Sequence, residues 1–368
     1  MNKPSVTMTR LTVLFPLATI TLALMLTPAS GQTGGRSNGH SAENVKRDGL
    51  TGNYNPTYNP NQIAILRWYQ ANTGPTVFSV PVTSAGTHGT VFDGTNIWVL
   101  STNLDVFNIN GQRLNAVPIS LGGEPIGLAY DGSNIWVSNL GIGLQKVNVV
   151  SHVVSTVSVP GLAYPYFLAF DGSHIWVTDT TSNAVWAVSI NAPYLAKKFP
   201  VGQGPTGIAF DGDCMWVTDT NDGTVWTVPD PYGFNCQING GVAGPVNWKA
   251  GNGTQPFNIA YDGTNMWVTV RFANQVVELD DSVNPGYLLN TVTVGYTPQA
   301  VAFDGAYIWV ANSSSGTVTK LTATNNPNAP PGTVVGTYGV KPGTSPGSLT
   351  FDGANMWTAL GGTFVGKM

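Results

Sequence analysis

The stretch GIAFDGDCMWVTD, residues 207–219, holds the pattern that decides the fold. A short apolar run ends in an aromatic residue, Asp-Gly follows, and a second alternating run carries Trp five positions after the Asp. Asp-Gly between two such runs is typical of a tight β-hairpin, because Gly tolerates positive φ and Asp bonds its own backbone. The stretch therefore predicts two antiparallel strands joined by a short turn.

The same pattern recurs seven times along the chain, at spacings from 38 to 51 residues. The repeated aspartates are Asp93, Asp131, Asp171, Asp211, Asp262, Asp304 and Asp352. Most copies add two further alternating runs, and four short antiparallel strands per unit of about 40 residues are the signature of a propeller blade. We therefore predict an all-β protein, a seven-bladed β-propeller of four-stranded antiparallel blades.

The two ends of the repeat region are each incomplete. The last copy reaches Met368 after three candidate strands, whereas residues 63–82 precede the first copy and supply one or two strands without an inner strand of their own. Joining the two ends completes the seventh blade and removes the open edge of the ring. We predict a ring that is closed by an N-terminal strand.

One tryptophan occupies an equivalent position in every copy. These residues are Trp98, Trp136, Trp176, Trp216, Trp267, Trp309 and Trp357. Large flat side chains at one repeated position fill the space between neighbouring blades. We predict that they are packing residues and not a row of ligand-stacking rings.

The N-terminus resembles a secretory signal. Lys3 and Arg10 precede a 16-residue apolar stretch at 11–26, and the small residues Ala29 to Gly31 follow it. The stretch is short for a membrane span, so we predict that it is cleaved and that the product, periplasmic or extracellular, keeps no span.

Composition and motifs divide the chain into three parts. We predict a signal peptide over residues 1–31, a flexible lead-in rich in Gly, Asn, Ser and Pro over 32–62, and the propeller over 63–368.

The overall composition limits the classes of partner that the protein is expected to bind. The chain has 44 Gly, 25 Pro and only 9% charged residues, and its 15 basic and 19 acidic residues give a net charge of −4. Nucleic-acid surfaces need clustered Lys and Arg, so we expect no nucleic-acid partner.

The four His are not at ligand spacing, and no hydrolase or phosphate motif occurs, so we expect no metal and no cofactor. We expect a monomer.

The chain contains two cysteines. Cys214 opens the second strand of the fourth copy, and Cys236 lies in a long insertion between that copy's third and fourth strands. Both positions fall at the same end of an up-and-down blade, and disulfides persist in exported proteins. We predict a Cys214–Cys236 bridge, the alternative being two free thiols.

A proline six residues before the Asp in six copies marks the start of each inner strand, near one mouth of the central channel. The residues that follow this position are His88, Ile126, Tyr166, Thr206, Phe257, Gln299 and Gly347. Sites on ring folds form at such rims, where loops vary while the blades stay fixed. We predict a small molecule, glycan or protein bound by Tyr166, Phe257, Gln299, Arg271, Asp179 and Asp219. Aromatic rings that simply plug the channel are the alternative.

Four of the blade segments carry a family resemblance: WVSN (136–139), WVTD (176–179 and 216–219) and WVAN (309–312). They resemble the YVTN-type bacterial propeller repeats and look like blades of streptogramin B lyase. The second resemblance implies a seven-bladed fold and a carbon–oxygen lyase that opens a cyclic ester with a His and glutamates at the channel mouth.

The lyase motif resembles Glu-Pro-His-Gly, and its parts are divided here between two blades. Glu124-Pro125-Ile126-Gly127 supplies the Glu-Pro, and His88-Gly89 supplies the His-Gly. The resemblance implies that His88 abstracts a proton while Glu124 orients it or binds a metal. Our leading hypothesis remains an exported binding scaffold without catalysis. A lyase and a structural or adhesive cell-envelope protein are the alternatives.

Overall fold

A computed structural model describes residues 78–82, 86–229, 236, 243–251, 253–281 and 286–368. Its strands form seven four-stranded antiparallel sheets, each in sequential order from the inner strand outward, apart from the sheet that closes the ring. The predicted all-β, seven-bladed propeller is confirmed. The signal peptide and the lead-in predicted for residues 1–62 lie outside the described residues.

The first three blades follow one another directly along the chain. Blade 1 consists of β2 (Gly89–Phe92), β3 (Asn96–Leu100), β4 (Asn103–Asn108) and β5 (Ile119–Ser120). Blade 2 consists of β6 (Glu124–Tyr130), β7 (Asn134–Leu140), β8 (Gly143–Asn148) and β9 (Val154–Val157). Blade 3 consists of β10 (Pro165–Phe170), β11 (His174–Asp179), β12 (Ala184–Ser189) and β13 (Ala196–Pro200).

The next three blades repeat this order, and blade 5 adds the 3₁₀ turn Arg271–Ala273 after its second strand. Blade 4 consists of β14 (Pro205–Phe210), β15 (Cys214–Asp219), β16 (Thr224–Pro229) and β17 (Gly244–Lys249). Blade 5 consists of β18 (Pro256–Tyr261), β19 (Asn265–Val270), β20 (Gln275–Asp280) and β21 (Leu288–Thr293). Blade 6 consists of β22 (Pro298–Phe303), β23 (Tyr307–Asn312), β24 (Thr317–Thr322) and β25 (Val334–Gly339).

Blade 7 is assembled from both ends of the described chain. It consists of β26 (Thr350–Phe351), β27 (Met356–Ala359), β28 (Phe364–Lys367) and the outer strand β1 (Phe78–Pro81). β1 pairs antiparallel with β28, Phe78 opposite Lys367. Without β1, blade 7 would have three strands and β28 would be left unpaired on one side. This pairing therefore completes the ring, and the predicted closure by an N-terminal strand is confirmed.

The connections divide between the two ends of the blades. The Asp-Gly turns and the loops between third and fourth strands lie at one end, which we call the Asp-Gly end. The linkers between blades and the loops between second and third strands lie at the other, which we call the mouth end. Pro165 opposite Asp179 in blade 3 illustrates this placement, since both begin or end their strands there.

Each Asp-Gly turn is anchored by its aspartate. In all seven blades Oδ1 accepts N–H bonds from the residues two and three positions later, at 2.6–3.0 Å. Oδ2 accepts the indole N–H of the repeated Trp at 2.5–2.8 Å. Hydrogen bonds to a carboxylate contribute about 1.5–3 kcal/mol. The five-residue spacing from Asp to Trp therefore reflects a side-chain hydrogen bond in addition to the turn.

The repeated tryptophans pack each blade against the next. Trp98 of blade 1 lies in one apolar cluster with Ile135 and Val137 of blade 2. Trp357 of blade 7 packs in the same way on Ile97 of blade 1, which closes the core as well as the sheet. All seven rings are almost completely buried. They serve as packing residues, as predicted.

A disulfide links Cys214 of β15 to Cys236, with Cα atoms 4.9 Å apart. Both half-cystines are buried beside Trp216 in the cluster between blades 4 and 5. The predicted bridge is confirmed, and it ties the long insertion of blade 4 to the core. Closing a loop of 22 residues contributes about 3 kcal/mol in the chain-entropy model.

Candidate functional site at the channel mouth

The inner strands of all seven blades surround a central cavity of about 320 Å³. The wall formed by blades 7 and 1 is polar: Thr90 Oγ1 lies 3.0 Å from the hydroxyls of both Ser348 and Thr350. Most of the remaining wall is apolar and includes Phe167, Leu168 and Ile259. The channel therefore offers a ligand one hydrogen-bonding side and one hydrophobic side.

Three aromatic rings meet over blade 4 at the mouth end. Tyr166 and Phe167 begin the inner strand of blade 3, and their ring centroids lie 6.3 and 5.7 Å from that of Phe257 in blade 5. Blade 4 presents the small, buried Thr206 between them, and its hydroxyl donates to the Phe257 carbonyl. Rings from two blades thus pack together because the blade between them carries no large residue. Tyr166 stays half-buried, whereas Phe257 is buried.

Arg271 lies on the same aromatic group. It opens the 3₁₀ turn of blade 5, and its guanidinium carbon lies 4.4 Å from the centroid of the Phe257 ring, a cation–π contact. Burial lowers the pKa of Arg271, an effect that Tyr166 partly opposes. Burial also raises the pKa of Tyr166, although the Arg271 charge works against that rise. At neutral pH the pair is a cation beside a neutral phenol.

Three exposed rings extend this group outward and were not among the predicted site residues. They are Tyr164, Phe272 and Tyr296, with 39%, 59% and 68% of their surface exposed. Thr297 donates its N–H to Asn274 Oδ1 at 3.0 Å, so the linker that carries Tyr296 is tied to the turn that carries Phe272. We call Tyr164, Tyr166, Phe257, Arg271, Phe272 and Tyr296 together the aromatic rim.

The proposed catalytic pair is placed on neighbouring blades. His88 lines the central cavity, and although its ring keeps exposed surface, partial burial lowers its pKa below the usual value. Glu124 is exposed at the start of β6, whereas Ile126 and Gly127 of that strand line the cavity. Only the His therefore faces the channel directly, and no contact joins its side chain to that of Glu124 among the described interactions.

Asp179 occupies the third position after the Trp of blade 3 and is fully buried. Its carboxylate accepts the backbone N–H groups of Ala163 and Tyr164, both at 3.0 Å, and the indole N–H of Trp186 at 3.3 Å. Burial alone would raise the pKa of Asp179, but its hydrogen bonds hold that pKa below the usual range. The carboxylate is inaccessible to a ligand here and instead fixes the linker between blades 2 and 3.

Asp219 occupies the equivalent position in blade 4 and is also fully buried. Burial and then the charge of Asp222 raise its pKa to about 9, although the Gly202 N–H and the Thr224 hydroxyl oppose this. Its Oδ1 accepts no hydrogen bond within the described structure. Asp219 is therefore a neutral acid near pH 7, and it too has no surface to offer a ligand.

Gln299, the remaining predicted mouth residue, is half-buried on the inner strand of blade 6. Its Oε1 approaches Gly347 of blade 7, where an added Cβ would lie 3.7 Å away. Gln299 thus points towards blade 7. Among the described residues, no group of three or more His, Cys, Asp and Glu side chains is placed to hold a metal ion.

The chain is a seven-bladed propeller, and its fold is similar to that of streptogramin B lyase. A solved streptogramin B lyase superposes with a TM-score of 0.65 at 15% identity, covering 79% of this chain and 96% of that one. Selenomethionine-substituted virginiamycin B lyase from Staphylococcus aureus gives the same TM-score and identity and is covered to 98%.

A catalytically inactive His-to-Ala variant of the Staphylococcus aureus enzyme, with quinupristin, also matches, at a TM-score of 0.65 and 17% identity. It is covered to 98%, again by 79% of this chain. At these identities the likeness establishes the fold. No protein-family model matches the chain, and no curated protein matches it by sequence.

Proposed function

We propose that the chain is an exported binding scaffold whose ligand docks on the aromatic rim at the mouth of the channel. The observation that carries this proposal is that exposed rings and one half-buried cation lie at the same end of a closed ring. Sites for small molecules and glycans combine flat apolar surface with few polar groups that fix orientation, and the rim supplies both.

Export is part of the proposal. It is supported by the basic and apolar pattern predicted as a signal peptide over 1–31 and by the Cys214–Cys236 bridge, since disulfides persist outside the reducing cytosol. No helix in the described part of the chain is long and apolar enough to cross a membrane. Expression of the full chain in a bacterial host, followed by fractionation and mass measurement of the mature N-terminus, tests this part.

Binding is tested by presenting the purified protein to an array of neutral and acidic glycans, peptides and planar small molecules. We expect at least one class to be retained, and we expect the double variant Phe272→Ala/Tyr296→Ala to lose affinity about tenfold, since exposed aromatic anchors dominate interfaces. Tyr287→Ala is the matched control, because Tyr287 is 60% exposed at the Asp-Gly end of blade 5.

Two results would count against the binding proposal. One is an array on which no class is retained above background, and the other is a double variant that binds as well as Tyr287→Ala. Firm attachment of the exported protein to the envelope, without any soluble ligand, would instead favour the structural or adhesive alternative.

A lyase is the second candidate, favoured by the position of His88 in the wall of the cavity and by the fold. An imidazole of lowered pKa is a free base near pH 7, as proton abstraction requires. The test is incubation with quinupristin and mass detection of the opened ester. A lyase predicts ring opening that His88→Ala abolishes without changing the melting temperature, whereas the scaffold predicts an intact ester in both.

A further inference from the structure

The positive charge of Arg271 is not balanced by the fold. Its guanidinium stacks on Phe257 and lies 5.7 Å from the Phe272 centroid, and no carboxylate pairs with it among the described residues. The titratable group that acts on its charge is Tyr166, a neutral phenol near pH 7. A half-buried cation without a counter-charge is costly, and an anion that reaches it relieves that cost.

Only part of this guanidinium is available to a ligand. Nε is shielded from solvent and has no hydrogen-bond acceptor, whereas the side chain as a whole is only half-buried. The accessible part is therefore the terminal end, with its two Nη groups. Two parallel N–H donors in one plane fit the two oxygens of a carboxylate.

The rings around this end favour an extended ligand. Tyr164 belongs to the linker before blade 3, Phe272 to the 3₁₀ turn of blade 5, and Tyr296 to the linker before blade 6. Flat rings separated along a rim suit a chain of sugar rings, whose C–H faces stack on them one at a time. A single cation argues against a polyphosphate or nucleic acid, which needs several Lys or Arg side chains.

We infer that the aromatic rim selects acidic oligosaccharides and holds a uronate carboxylate on the Nη end of Arg271 while neighbouring sugars stack on the exposed rings. This inference rests on the proposed binding function and adds the ligand class. It makes Arg271 the residue that distinguishes acidic from neutral sugars.

The probes are trigalacturonate and its fully methyl-esterified form, which differ in charge while sharing the same sugar rings. Isothermal titration is carried out with the exported, disulfide-bonded protein. We expect trigalacturonate to bind at least about tenfold more tightly than the ester, as a charged hydrogen-bonded pair is lost in the ester. We also expect that preference to shrink as salt is raised.

Arg271→Met keeps an apolar stem over Phe257 while removing the charge. It should lower trigalacturonate affinity at least about tenfold and abolish the preference for the acid over the ester. Lys197→Met is the matched control, because Lys197 lies exposed on the outer strand of blade 3 and its loss changes the net charge equally. Circular dichroism melting confirms that each variant is folded.

The outcomes separate this inference from the broader proposal. Equal affinity for acid and ester, or a preference that survives in Arg271→Met, overturns the acidic ligand class and leaves a neutral-glycan scaffold intact. Failure of both probes to bind also overturns the inference, and the array then decides independently whether the rim binds any ligand.

Discussion

Blades 3 and 4 share the sequence WVTD, yet the two aspartates experience opposite environments. Asp179 faces two backbone N–H groups and an indole N–H, and its pKa is lowered. Asp219 lies beside Asp222 with one oxygen unpartnered, and its pKa rises to about 9. The same four-residue sequence therefore ends in an ionised carboxylate in blade 3 and in a neutral carboxylic acid in blade 4.

The difference comes from the linker that passes over each aspartate. In blade 3 the linker turns two N–H groups toward the carboxylate. In blade 4, Gly202 packs so closely that an added Cβ would lie 2.7 Å from Asp222 Oδ2 and 2.9 Å from Asp219 Cγ, so two acids share this space. The charge of a repeat position is thus set by a neighbouring segment that does not repeat.

Blades 2 and 6 carry an asparagine at the position of these aspartates. Asn139 donates its amide to the Gly122 carbonyl at 2.8 Å, and Asn312 donates to the hydroxyls of Thr317 and Thr319. Thr317 is equivalent to Thr224 of blade 4, since Thr317 pairs with Asn312 and Thr224 pairs with Asp219 across neighbouring strands. An amide therefore has Thr224 as an acceptor in blade 4 and meets one N–H donor there, whereas in blade 3 it meets two.

The largest change in the free energy of unfolding is expected for Asp179→Asn. The amide presents an NH₂ group where the linker offers N–H groups, and at least one donor is left buried and unpaired. We expect a loss of about 3 kcal/mol in the free energy of unfolding. Urea denaturation at pH 7 measures it, and a variant within about 0.5 kcal/mol of the parent would show that these bonds do not hold the linker.

Asp219→Asn is expected to increase the free energy of unfolding, the opposite of the change expected for Asp179→Asn. With a folded-state pKa raised from 3.8 to about 9, the folded chain holds a proton that the unfolded chain releases, so parent stability falls as pH rises between these values. Asparagine does not titrate and gains the Thr224 acceptor. We expect about 2 kcal/mol of added stability at about pH 8 and little difference at about pH 4.

The control for that substitution is Asp179→Asn measured over the same pH range. Its parent acid has a lowered folded-state pKa, so the stability contributed by Asp179 is present at neutral pH and is lost as the solution is acidified. Because the pKa of Asp179 is below 3.8 in the folded state, the Asp179→Asn difference should stay level between about pH 4 and 8, whereas the Asp219→Asn difference grows over that range. Parallel curves would refute the contrast between the blades.

The smallest effect is expected for Thr224→Val. The hydroxyl donates to Asp222 at 2.6 Å and reaches Asp219 only at 3.5 Å. In the parent we expect a loss of about 0.5–1 kcal/mol. In the Asp219→Asn background the loss should be larger, because the amide then depends on this oxygen, and a double-mutant cycle measures the coupling. Strict additivity would mean that the amide does not use Thr224.

The parts of the molecule that repeat were predictable from the sequence. Asp-Gly turns, blade number and the closing strand follow from spacing alone, and the Cys214–Cys236 pairing follows from the end of the blade on which each falls. The environments of Asp179 and Asp219 were not predictable, because they depend on which backbone groups a linker presents. The sequence pattern predicts both at the mouth surface, and both are buried.

The candidate site was predictable only in part. Tyr166, Phe257 and Arg271 stood out because they follow the repeated prolines or strands, and the structure brings them into contact. Tyr164, Phe272 and Tyr296 lie in linkers and turns that share no pattern, so nothing in the sequence marked their exposure. The placement of Phe257 against Tyr166 depends on the small Thr206 in the blade between them, which is a three-dimensional relation.

The pairing of β1 with β28 also determines when the ring can close during synthesis. A chain leaves the ribosome N-terminus first, so β1 has to wait without its partner until almost the whole ring has been synthesised. Blades 1 to 6 each consist of consecutive strands and require no such delay. A growing chain therefore passes through an open arc of blades, and the ring closes only after the C-terminal strand β28 has been synthesised.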